Sequence, residues 1–219
     1  MSEPSSNDRL IETYIDARQR VIDLLREYPP DLLDTQAPAT PLWTARELVA
    51  HLVGASEDFA AGHLPSAPKE FAAGHLPGSE LTFEQWTAGQ VTRHDGLQLD
   101  ALIDQWEETL PGVLEAMRGE RGPSTPLTVD TVIHEQDLRG LAHKPGRRDT
   151  WGYQLARKAL ARRFIGAVQK KDPLPVAIEA DEWKFVPDSD PARHGRVRSV
   201  WVRSSMRVGR SEGLDHKRQ

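Results

Sequence analysis

The chain has 219 residues, 38% of them hydrophobic and 28% charged, with a formal net charge of −5. That is enough apolar material for a packed core at a length of one to two domains, and it excludes global disorder. The absence of cysteine excludes disulfide scaffolds, thiolate metal sites and cysteine nucleophiles.

No apolar run approaches the ~18 residues of a membrane span, and the N-terminal MSEPSSNDRL lacks the apolar core of a signal peptide. A cytoplasmic protein with no membrane partner is expected. Residues 1–145 carry 11 Lys and Arg against 24 Asp and Glu, whereas residues 146–219 carry 17 against 9. The acidic part argues against nucleic-acid binding. The basic part is expected to dock on it or to be solvated.

In chain order, Leu10, Tyr14, Ala17, Val21, Leu24 and Leu25 recur at helical steps and predict a first helix over about residues 8–27. Tyr28-Pro29-Pro30 ends it, and residues 34–42 read as a proline-containing loop. A second helix is predicted from Trp43-Thr44, where Thr44 and Glu47 fit a capping box. Its stripe is Leu48, Leu52, Ala55 and Phe59, with His51 at the stripe's edge and turned inward. Phe59-Ala-Ala-Gly-His-Leu-Pro65 then recurs as residues 71–77. Two copies fall short of a solenoid, so the pair, with His63 and His75, reads as a duplicated exposed loop rather than a metal tract.

A third helix has two starts, one at Thr82–Trp86 and one after Gly96, the second carrying Leu99, Leu102, Ile103, Trp106, Leu110, Val113, Leu114 and Met117 with a kink at Pro111. A fourth, over about residues 127–141, reads LTVDTVIHEQDLRGL. At about 100° per residue, His134 lies about 40° to one side of Asp130 and Asp137 about 20° to the other, on the stripe of Leu127, Ile133 and Leu141. Burying such groups costs several kcal/mol unless a cation, a hydrogen-bond network or a cavity compensates. A fifth helix, over about residues 150–169, carries Leu155, Ala159, Phe164 and Val168; strands are predicted at 173–179, 182–186 and 197–202, with a disordered tail after Ser204. His94, Asp95 and His143 read as solvated residues near loops, and Trp86, Trp106 and Trp151 as packing residues.

One constellation carries chemistry. Asp130 and His134 sit i, i+4 on one helix face, with Cβ atoms about 5–6 Å apart. With His51 from a facing helix they make three N/O ligands that leave an open position, the pattern of catalytic zinc. Asp137, one turn on, is placed to orient His134 through its ring N–H. The competing reading is a buried His–Asp network that fixes helix packing.

Trp43-Thr-Ala-Arg-Glu-Leu-Val-Ala-His51 resembles the second-helix signature of the DinB-like bundles, closest to the mycothiol-dependent maleylpyruvate isomerase branch. Asp130-Thr-Val-Ile-His134-Glu-Gln-Asp137-Leu-Arg139 resembles that branch's fourth-helix pattern. The resemblance covers about residues 8–170 and implies a metal bound by His51, Asp130 and His134. Asp130 stands where the isomerase has glutamate, one methylene longer. The implied fold is mainly α, a four-helix bundle in an up-down-down-up arrangement over residues 1–149. Residues 150–219 would form a linker helix and a short, truncated or divergent α/β part, since the expected C-terminal helix and Gly-Arg motif are not found. The implied cofactors are a divalent metal, zinc first, and mycothiol as co-substrate. The implied activity is isomerisation or S-transfer on a small electrophile, and a homodimer is compatible with it. The alternative is a non-catalytic, metal-binding DinB-like stress-response or interaction module. The bias of 21 Arg over 7 Lys fits a G+C-rich genome, the type of the actinobacteria that use mycothiol.

Overall fold

The computed structural model describes residues 5–63, 81–171, 176–180, 183–185 and 198–201. The helices are α1 (Ser6–Arg26), α2 (Ala45–Ala60), α3 (Phe83–Arg93), α4 (Leu99–Arg118), α5 (Thr125–Leu141) and α6 (Trp151–Lys171). The strands are β1 (Gln36–Ala37), β2 (Thr40–Thr44), β3 (Val176–Ala180), β4 (Trp183–Phe185) and β5 (Arg198–Trp201). The chain divides into two units, residues 1–157 and 158–219. No helix among the described residues is long and apolar enough to cross a membrane.

Two apolar clusters define the first unit. One joins Val21 and Leu25 late in α1, Leu48 and Leu52 early in α2, Leu102 and Trp106 early in α4, and Leu138 and Leu141 at the end of α5. The other joins the opposite ends, through Ile11 and Tyr14, Ala55 and Phe59, Val113 and Met117, and Leu127. Helices α1 and α5 therefore run one way, and α2 and α4 the other. This is a four-helix bundle in an up-down-down-up order. Each fully buried leucine in it contributes roughly 1.5–3 kcal/mol.

Neighbours that run parallel, α2 and α4, need a connection that travels back along the bundle. Between them in the chain lies α3, packed on α2. The two expected starts of one helix are thus the starts of two. Thr82 caps α3 by accepting from Gln85 N, and Gly96, at φ 77°, takes the left-handed turn before α4. Pro111 does not divide α4, which runs through it, held on either side by the buried Trp106, Val113 and Met117.

The expected loop at 34–42 is instead a 3₁₀ turn (Pro30–Asp34) and the β1–β2 ribbon, paired antiparallel with Ala37 opposite Thr40. A two-stranded ribbon leaves every strand an edge, which is why Pro41 is tolerated in β2. Strand β2 delivers the chain to Thr44, whose hydroxyl accepts from Glu47 N at 3.2 Å while Glu47 Oε2 accepts from Thr44 N at 2.7 Å. Thr44→Ala is expected to cost about 1 kcal/mol of stability, read as a lower urea midpoint with unchanged slope.

The start of α6 belongs to the first unit, where Ala156 packs with Ala17 and Val132. In the second unit, β3 pairs antiparallel with β4 and parallel with β5, in the order β4-β3-β5. Ala161 and Ile165 of α6 pack with Ile178. Phe164, expected on the apolar stripe, is 45% exposed. The buried face lies one residue on, because it is set by Ile165 meeting the sheet. The rest of the duplicated stretch beyond His63, and the tail after Ser204, lie outside the described residues.

Candidate metal centre

His51, on the second turn of α2, is turned into the bundle and buried. Asp130 and His134 lie one turn apart on α5, which packs against α2. The structure brings all three together, with one ligand atom from each lying within 4.8 Å of the others. His51 Nε2 is 3.0 Å from Asp130 Oδ2, and His134 Nε2 is 3.6 Å from Asp130 Oδ1. The shorter acid therefore still reaches both imidazoles. The rings meet edge to face at 5.2 Å between centroids, and Trp43 walls the site, 4.9 Å from the His51 ring. Asp130 is the exposed side, its side chain 31% accessible against 3% for His51 and 9% for His134.

The far nitrogen of each ring is held. His134 Nδ1 donates to Asp137 Oδ2 at 2.8 Å, the arrangement expected from the sequence. His51 Nδ1 lies 2.7 Å from Gln90 Oε1, and Gln90 Nε2 donates to Asp58 Oδ2 at 2.8 Å. Asp58 is paired in turn with Arg93 Nη2 at 2.7 Å. His134 therefore carries a proton on Nδ1, and the Nε2 atoms of both rings face Asp130. Across the 3.0 Å between His51 Nε2 and Asp130 Oδ2, either a proton or a cation has to lie between nitrogen and carboxylate. Two imidazole nitrogens and one carboxylate, each ring oriented from behind, fit a divalent ion such as zinc.

Burial is the largest single influence on His134 and lowers its pKa, but Asp130 and the hydrogen-bonded Asp137 together outweigh it and hold the imidazole above its ordinary value. In metal-free protein the fold therefore favours the protonated ring. That stabilisation is complete below the ordinary imidazole pKa and is lost as pH rises through the raised one. Metal must displace the same proton, so its affinity is expected to weaken as pH falls through the raised value. Zinc competition titrations and chelator-treated melting curves across this range check both signs. An affinity independent of pH would contradict them.

Among the described residues, the other singled-out histidines do not join the site. His63 and His143 are exposed. His94 corrects its reading as a solvated residue: it is buried, within hydrogen-bond distance of Gln90 O at 2.8 Å and Glu57 Oε1 at 3.2 Å, because α3 lies down on α2. Arg139 turns away from Asp130, as its position on the helix requires, and pairs with Glu135 at 2.9 Å.

Sequence reasoning missed Gln90, Asp58 and Arg93. Asp58 had a signal, since it stands two turns after His51 on the same buried face. Gln90 had none, because a neutral amide leaves no pattern. No curated protein and no solved structure matches the chain. The sequence profile of the mycothiol maleylpyruvate isomerase N-terminal domain matches residues 15–139, more than half the chain and a span that holds His51, Asp130 and His134; the chain belongs to that family, within the DinB-like superfamily.

Proposed function

We propose that the chain is a zinc-dependent enzyme that uses mycothiol to isomerise a small electrophile or to transfer sulfur to it. The carrying observation is the convergence of His51 Nε2, His134 Nε2 and the Asp130 carboxylate, with both Nδ1 atoms hydrogen-bonded from behind. His51, Asp130 and His134 would hold the ion, and three N/O donors leave room for one more ligand. Zinc at such a centre lowers the pKa of a bound thiol and makes a thiolate available near neutral pH. The chain has no cysteine, so the sulfur nucleophile has to come from a small molecule. Family membership supports mycothiol as that molecule.

The chain's own residues have distinct tasks in this reading. Asp137 holds the His134 imidazole with its Nε2 turned toward the ion. Trp43 covers the rings, and the exposed edge of Asp130 is where thiol and substrate enter. Elemental analysis of the purified protein, followed by calorimetric titration with mycothiol, tests the proposal. One equivalent of zinc and saturable, zinc-dependent thiol binding are expected. Zinc without thiol binding would replace the enzyme by a metal-binding module, and absence of both would refute the reading.

A further inference from the structure

We infer that Gln90 is a positioning residue that selects the metal-binding tautomer of His51, and that α3 is held on the bundle to place it. The inference rests on the proposed metal reading of the site but concerns a residue no ligand pattern contains.

His51 has two neutral tautomers with different consequences. With the proton on Nε2, the ring would donate to Asp130 Oδ2, 3.0 Å away, and the pair would close into an ordinary His–Asp hydrogen bond. With the proton on Nδ1, Nε2 is free to bind a cation. Gln90 decides between them only if its oxygen, not its nitrogen, faces the ring. Its amide is oriented by Asp58, which, paired with the Arg93 guanidinium, can only accept. Gln90 Nε2 must therefore point to Asp58, at 2.8 Å, and Oε1 to His51 Nδ1, at 2.7 Å. A flipped amide would set its oxygen against the Asp58 carboxylate, two acceptors face to face. Gln90 is fully buried, so water does not offer an easy substitute.

The backbone packing supports the same conclusion independently. A Cβ on Gly54 would lie 2.7 Å from Gln90 Cβ and 3.0 Å from Gln90 Cγ. Only glycine at 54 leaves room for α3 here, and Gln90 is the residue that a Cβ at 54 would meet. Arg93 Nη2 also reaches Gly54 O, at 3.4 Å. The charged relay and the small residue act on one spot.

The test reads the tautomer of His51 by nitrogen-15 NMR in metal-free protein above the imidazole titration range, and zinc affinity by chelator competition. Wild type should carry the His51 proton on Nδ1. Gln90→Leu should move it to Nε2, leave His134 unchanged, and weaken zinc binding about 10–100-fold. The paired exchange Gln90→Glu with Asp58→Asn reverses donor and acceptor between positions 90 and 58 while keeping an acceptor oxygen toward His51 Nδ1, and should restore both the Nδ1 proton and the affinity. Gly54→Ala should mimic Gln90→Leu without touching a polar group, and serves if Gln90→Leu does not fold. A wild-type His51 protonated on Nε2, or variants with unchanged tautomer and affinity, would overturn the inference. A tautomer that shifts as expected in a chain with no zinc affinity would instead leave the relay standing and defeat the metal reading.

Discussion

His134→Ala is expected to abolish stoichiometric zinc binding, and any thiol-dependent activity with it. The imidazole contributes one of only two nitrogen donors in the cluster and is buried to 7% exposure, where water is poorly placed to replace it. Its loss also leaves Asp137 without the ring N–H it holds at 2.8 Å and removes the partner 3.6 Å from Asp130 Oδ1. The drop in affinity should exceed the ~10–100-fold that follows loss of an outer hydrogen-bond partner. His63→Ala, on an exposed residue outside the cluster, should leave metal content unchanged. Full zinc retention in His134→Ala would defeat the ligand assignment.

Glu135→Leu is expected to destabilise the fold by about 3–5 kcal/mol, the usual cost of removing one partner from a buried ion pair. Glu135 is 1% exposed. Its two oxygens accept from Arg20 Nε and Nη2, each at 2.8 Å, and Oε1 also accepts from Arg139 Nε at 2.9 Å. This bidentate clamp ties α1 to α5 one residue from His134. Leucine would fill the volume but strand two guanidinium groups. The melting temperature should fall by on the order of 10 °C. Arg20→Ala should cost less, since the Arg139 pair survives and Arg20 is 18% accessible to water. A loss below about 1 kcal/mol in Glu135→Leu would show the clamp to be redundant.

Glu135 also shows where the sequence stops being legible. Helix α5 is buried on two sides, through Leu127, Thr131, His134, Leu138 and Leu141 on one and Thr128, Val132 and Glu135 on the other. A single stripe anchored on Leu127 and Leu141 captured Asp130, His134 and Asp137 but assigned Glu135 to neither face. Periodicity worked where one face is buried, as in α1, whose Leu10, Tyr14, Ala17, Val21, Leu24 and Leu25 are all interior. Local capping chemistry was equally readable, and Thr44–Glu47 starts α2 as its spacing predicts. The i, i+4 spacing of Asp130 and His134 was legible because it lives on one helix. The Arg93–Asp58–Gln90 relay was not, because it is assembled from α2 and α3 by the close approach at Gly54, which no local pattern announces.

Anomalous scattering from crystals of the purified protein, collected on both sides of the zinc edge, probes the metal centre most directly. One peak should appear above the edge and vanish below it, about 2.0–2.2 Å from His51 Nε2, His134 Nε2 and an Asp130 oxygen. A site with no peak after zinc soaking, and with His51 hydrogen-bonded to Asp130 in its place, would contradict it.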